Sequence, residues 1–304
     1  MALPKSGQRV EGHTFLSACC TSSPVFVEFN IHPPPPFCKG RSPVSCVKMV
    51  QISHGRIVLC RVSCYYFYMD FFDEQARDTA FSLKHPFFFV NDGVRVYYGG
   101  SQKLLTRTYT QKMGCGVICA ANILLYLGRY AEGCDRGPFA ELAREDPIPA
   151  AEFGRRCDAL QRRYMQVMPH FGLTGFQLTW GLNRYCRRYG LPYRMRWQLG
   201  KRDFWQHIQE MLEADIPGTL AIGPNFPAFW GRHKLRFYVR HLEGYRPVVS
   251  TKAHFVTITG MDEEWLRISS WGKEYFINRR EYDDYVKTHS TWLVSNIGLV
   301  RRVA

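Results

Sequence analysis

The sequence predicts an α+β fold, with a buried helix and further helices packed on a C-terminal antiparallel β-sheet. Three observations predict it. Residues Cys115 to Tyr130 are apolar on every side, which marks a helix covered all round. Apolar residues between Phe139 and Ala214 recur at helical spacing. From Gly218 onward that spacing gives way to short β-rich runs separated by turns. Helices that precede strands, rather than alternating with them, point to segregated layers.

The elements follow in order. Val94–Tyr98 alternates and is β-rich, so it is expected as a strand. Gly114-Cys115-Gly116 punctuates the chain before the buried helix, whose Ala and Leu content favours that state. Three helices are expected over Phe139–Glu145, Ala150–Gln166 and Thr174–Tyr189. The last is stopped by Gly190 with Pro192 beyond. Phe204–Ala214 is a fourth, with Phe204, Ile208, Met211 and Leu212 on one stripe. Strands are expected at Gly218–Ile222, His254–Met261, Trp265–Ser269, Glu274–Ile277 and Thr291–Val300, with a short helix at Arg280–Lys287.

The chain has 304 residues, enough for a substantial core. Residues 1–68 differ from the rest. They hold seven basic and two acidic residues, six of the 11 cysteines, and the run Pro33-Pro34-Pro35-Pro36. A composition of that kind is expected to be disordered or loosely attached. Met69 opens a segment of ordinary composition, which raises the expectation that translation starts there and that residues 69–304 form the functional domain. The cysteines do not pair into zinc-binding sets, so no metal or other cofactor is expected. The first 25 residues lack the apolar stretch of a secretory signal, and Arg61 and Asp70 interrupt the longest apolar run. A cytoplasmic protein with reduced thiols is therefore expected.

The net charge is +14, which favours anionic partners without choosing among them. Arg155-Arg156, Arg162-Arg163, Arg187-Arg188 and Arg301-Arg302 read as solvated faces or a chain end. No interleaved exposed aromatics are evident, so a nucleic-acid surface is not expected.

Chemistry concentrates in three places. In Gln111-Lys-Met-Gly-Cys115-Gly116 a cysteine opens the buried helix, where the helix dipole is expected to stabilise a thiolate. Gly114 and Gly116 are expected to let a substrate backbone approach, and Gln111 to offer an amide to a developing oxyanion. In Ala253-His254-Phe255-Val256, a histidine starts an apolar strand, from which it can serve Cys115 as general base. At the end of the next strand, Ser269-Ser270-Trp271-Gly272 stands where a group orienting the imidazole belongs. Trp271 is expected at the edge of the site, as a lid or among the substrate-facing residues. Cys119 reads as inert core, and His170, His207, His233, His241 and His289 as surface or structural residues.

At these residues the chain resembles papain-like cysteine peptidases, nearest to bacterial peptidases that cleave double-glycine leader peptides. That family has a glutamine, then Cys-Gly opening a buried helix, and later His-Phe-Val on a strand. Ser270-Trp271-Gly272 matches the Ser-Trp-Gly portion of the papain motif. Ser269 falls where papain has asparagine, and Ser270 where the leader peptidases have aspartate. The resemblance spans about residues 100–290 and implies a papain-like fold and a peptide or amide substrate.

The function expected is a thiol-dependent hydrolase, a cysteine peptidase or amidase with Cys115 as nucleophile and His254 as base. Two alternatives remain beside it. One is a catalytically weak or inactive papain-like module that binds peptide or an anionic partner. The other is a thiol acyltransferase.

Overall fold

The computed structural model describes residues 48–53, 56–61, 80–228 and 230–303. The chain divides into two units, Met1–Val62 and Ser63–Ala304. In the first, β1 (Lys48–Ser53) pairs antiparallel with β2 (Arg56–Arg61), Lys48 opposite Arg61. The run Ile57–Leu59 thus lies in a strand. Apart from residues 48–53 and 56–61, the expectation of a disordered or loosely attached segment over residues 1–68 lies outside the described residues, as does the expected start at Met69.

The second unit is mixed α/β, with a large antiparallel sheet and several helices. It opens with three short strands, β3 (Phe81–Ser82), β4 (Phe89–Asn91) and β5 (Val96–Tyr98). Helices α1 (Thr108–Met113), α2 (Cys115–Tyr130) and α3 (Pro138–Leu142) follow, then β6 (Ile148–Pro149), α4 (Ala150–Tyr164) and α5 (Gly175–Tyr189). Next come β7 (Tyr193–Trp197), α6 (Phe204–Glu213) and β8 (Gly218–Ile222). The chain closes with β9 (Leu235–His241), β10 (Gly244–Thr251), β11 (His254–Met261), β12 (Trp265–Ser270), β13 (Lys273–Asn278), α7 (Arg279–His289) and β14 (Ile297–Arg302).

Nine strands form one sheet, in the order β10-β9-β13-β12-β11-β8-β14-β7, with β3 also paired to β11. All its pairings are antiparallel. A smaller sheet has the order β5-β4-β6. Every residue of β11 and β8 is buried, which makes these strands the centre of the core. At the sheet's other end β10 is largely exposed, and a register shift between Pro247 and Val249 interrupts its pairing with β9. Proline cannot donate to the ladder, so it is tolerated at such an edge.

Helix α2 is buried from Gly116 through Leu127 and packs against β11. A single residue, Gly114, separates it from α1. A Cβ there would stand 2.4 Å from the Thr110 carbonyl oxygen and 2.5 Å from Leu105 Cδ1, so only glycine permits this joint. Helix α5 begins with a capping box between Thr174 and Gln177, and ends, as the sequence leads one to expect, at Gly190 in the left-handed conformation. Helix α6 buries Phe204, Ile208, Met211 and Leu212.

The last strand departs from expectation. Residues 291–295 form turns, and β14 starts only at Ile297. The Asn296 amide donates to the Trp292 and Gly200 carbonyls, fixing this bend ahead of the strand.

One polar group interrupts the apolar α2. Asn122 is 1% exposed. Its Nδ2 donates to Thr257 Oγ1 on β11 at 3.0 Å, and its Oδ1 accepts from the Gly100 N–H at 3.0 Å. Asn122→Leu leaves the Gly100 N–H buried without a partner. We expect it to cost about 1–3 kcal/mol, read from the urea midpoint, despite the added apolar surface. A variant as stable as the parent would show that the bracket is dispensable.

Candidate active site

Cys115 is the first residue of α2 and is partly exposed, whereas Cys119, Cys134, Cys157 and Cys186 are buried. Its thiol interacts with the backbone N–H of Phe255, which puts it beside the start of β11. Burial raises the pKa of the thiol, and the N–H groups of Phe255, Gly116 and Cys115 itself only partly offset that rise. The expected depression of the thiol pKa at the helix head is therefore corrected. Here desolvation outweighs the helix end.

His254, the first residue of β11, is 7% exposed. Its Nε2 lies 2.8 Å from Ser270 Oγ, the last residue of the neighbouring β12. The Trp271 ring stacks on the imidazole at 4.3 Å and 18°, and Phe237 lies 5.6 Å from Trp271 and 6.4 Å from His254. This aromatic cover excludes water and drives the imidazole pKa down to about 3. Among the described residues no hydrogen bond joins the Cys115 thiol directly to the ring. With Nε2 paired to Ser270, Nδ1 is the ring nitrogen without a hydrogen-bond partner among the described residues.

The two serines divide their work because adjacent strand residues face opposite ways. Ser269 Oγ donates to the Tyr98 carbonyl at 2.8 Å, tying β12 to β5. Ser270 alone is on the imidazole. Gln111 points elsewhere. Its amide donates to the Leu105 carbonyl at 2.7 Å and the Lys103 carbonyl at 3.5 Å, so service to an oxyanion would require it to leave Leu105.

Gly114 and Gly116 also face inward. A Cβ on Gly116 would meet Leu173 at 3.1 Å and the Phe255 ring at 3.3 Å, so this glycine lets α2 pack closely rather than exposing backbone. Trp271 belongs to the cover of the His254 ring.

Sequence reasoning missed three supporting residues. Gln102 Nε2 donates to the Gln111 and Lys112 carbonyls at the end of α1, just ahead of Cys115. Asn122 and Thr257 bind α2 to β11. Asn122 had a visible signal, as a lone amide in an apolar helix. Gln102 and Thr257 had none.

Among the described residues no three His, Cys, Asp or Glu side chains gather into a metal site, and no helix is long and apolar enough to cross a membrane.

No protein-family model and no curated protein matches the chain. Among solved structures, a crystal structure from Bacillus anthracis, described provisionally as a C39-like peptidase, aligns with 63% of this chain and 90% of its own. The TM-score is 0.33 and the identity 16%. The chemistry below rests on the geometry of this chain.

The low imidazole pKa has a consequence for stability. Unfolding returns His254 to its ordinary value of 6.5, against about 3 when folded. Between these values the unfolded chain binds more protons. Stability therefore rises with pH across that window and is lost as pH falls from about 6.5 towards 3. His254→Gln removes this contribution. We expect its melting temperature to fall less steeply between pH 7 and 4 than the parent's, measured by circular dichroism. Equal slopes would refute the desolvation account.

Proposed function

We propose that this chain is a thiol-dependent hydrolase of papain-like arrangement, a cysteine peptidase or amidase, in which Cys115 is the nucleophile and His254 the general base. The observation that carries the reading is the Ser270–His254 hydrogen bond on a strand whose next backbone N–H interacts with the Cys115 thiol.

With the thiol pKa raised and the imidazole pKa lowered, the resting pair is neutral. Proton transfer then accompanies attack. Nε2–H donates to Ser270 Oγ, which leaves Nδ1 unprotonated. As sulphur bonds to the substrate carbonyl carbon, Nδ1 takes the S–H proton. The carbonyl oxygen becomes an oxyanion, for which the Cys115 backbone N–H at the helix head is the natural donor. The imidazolium returns its proton to the departing amine. Water, deprotonated by Nδ1, then cleaves the thioester and frees the thiol.

Ser270 acts as a positioning residue, holding the tautomer and the ring plane. A hydroxyl accepts the imidazole N–H more weakly than a carboxylate, so it stabilises the imidazolium less. Trp271 and Phe237 keep water from the ring while the charge develops.

Two measurements test this reading. Iodoacetamide is expected to alkylate Cys115 much faster than Cys119 or Cys157, and Cys115 is expected to slow when His254 is replaced by Ala. Equal rates at the three thiols would sink the proposal. With a library of peptidyl-coumarin amides, Cys115→Ala is expected to abolish turnover and His254→Ala to lower it roughly 100- to 10,000-fold. Ser270→Ala should lower it about tenfold, the equivalent of one hydrogen bond, while Ser269→Ala leaves kcat unchanged. If the two serine variants behave alike, Ser270 does not orient the base.

A further inference from the structure

Helices α4 and α5 enclose an open cleft of about 580 Å³ lined by Arg163, Tyr164, Arg184, Arg187 and Arg188. None of these four arginines forms an ion pair with an Asp or Glu among the described residues, although Arg155 and Arg156, further back on α4, do so through Glu152. Helix α5 contains no acidic residue, and α4 has none after Asp158. Asp158 itself faces inward to the Thr106 N–H and hydroxyl. The charge in the cleft is therefore uncompensated.

The arginines continue into exposed rings. Phe176, Trp180, Arg184 and Arg188 recur every four residues, so each neighbours the next along α5 over about 18 Å. Phe176 is 53% exposed and Trp180 57% exposed. The Arg184 guanidinium lies over both the Trp180 ring, at 5.3 Å, and the Tyr164 ring, at 5.9 Å. In sequence the arginine pairs read as solvated faces because no exposed ring is evident between them. The fold exposes those rings.

We infer that the cleft between α4 and α5 and the adjoining face of α5 bind single-stranded nucleic acid. The arginines take the phosphates, and Trp180 and Phe176 take unstacked bases. A groove that pairs cationic side chains with accessible ring faces suits a strand whose bases are free. A lone phosphate would leave the rings unused. A duplex hides its base faces. The inference does not depend on the hydrolase reading.

Fluorescence anisotropy of the full chain with a fluorescein-labelled twelve-nucleotide thymidine strand tests the inference. Saturable binding is expected, weakening roughly fiftyfold between 50 and 200 mM salt if four phosphates are neutralised. Arg187→Glu/Arg188→Glu is expected to weaken it by at least about tenfold, and Trp180→Ala by about fivefold or more through lost stacking. Arg232→Glu/Lys234→Glu makes the same change in net charge at exposed positions away from the cleft, and is expected to leave affinity within about twofold. Circular dichroism confirms that each variant is folded, and Arg184→Gln replaces the double variant if that one is not. No binding by the parent chain overturns the inference. So do an equal loss in the charge-matched pair, no loss with Trp180→Ala, and a duplex of the same sequence bound as tightly as the strand.

Discussion

The junction of α2 with β11 is the constraint on which the rest of the molecule depends. One element begins with Cys115 and the other with His254, so any slide of the helix along the strand separates them. Apolar packing supplies most of the stability here, at about 1.5–3 kcal/mol for each fully buried Leu or Ile. That force is non-directional and does not by itself fix a register. Asn122 does so, with two hydrogen bonds of 3.0 Å that a shift of one helical turn would break. Net, such bonds add only about 1 kcal/mol each. Stability and register thus come from different interactions within one helix.

The same burial that holds the helix sets the electrostatics of the candidate site. Thiol and imidazole are each desolvated, which favours the neutral form of both. Among the described residues no carboxylate counters this, and Ser270 offers only a hydroxyl. On the proposed reading, a reactive ion pair therefore arises during attack rather than before it. This arrangement trades resting reactivity for a thiol that is less readily oxidised, because thiolate is the form that oxidants attack.

The helical half of the fold was legible in the sequence. Helices α2, α4, α5 and α6 announce themselves through apolar spacing, caps and stops such as Thr174 and Gly190. The central strands were also legible, since β8 and β11 are short runs rich in apolar and β-branched residues. The outer strands were not. In β10, Arg246 and Pro247 mask any alternation, because both faces of this edge strand meet solvent, and in β9 the charged Arg236, Arg240 and His241 interrupt the apolar run although Leu235, Phe237 and Tyr238 are buried. The candidate site was legible as residue types but not as contacts. Nothing in Ser269-Ser270 says which hydroxyl faces the ring, because that follows from the phase of the strand. The amide of Gln111 was assigned outward by motif, whereas the loop before α1 claims it. Exposure of Trp180 and Phe176 is likewise a property of how α4 and α5 pack.

Trp271 and Gly272 join β12 to β13 as a two-residue turn, both at positive φ, +50° and +73°. This is the signature of the mirror-image turn that suits the twist of a hairpin, a setting in which asparagine and glycine predominate. A tryptophan in this conformation costs on the order of 1 kcal/mol. The cost is met where the ring lies flat on the imidazole. The turn therefore acts as an instrument mounting. Hairpin geometry holds the indole at a set height over the His254 ring, so the polarity felt by the imidazole is written into the backbone of a turn. The Trp271 indole is also a built-in optical reporter, whose emission should register any change in the charge of the ring beneath it.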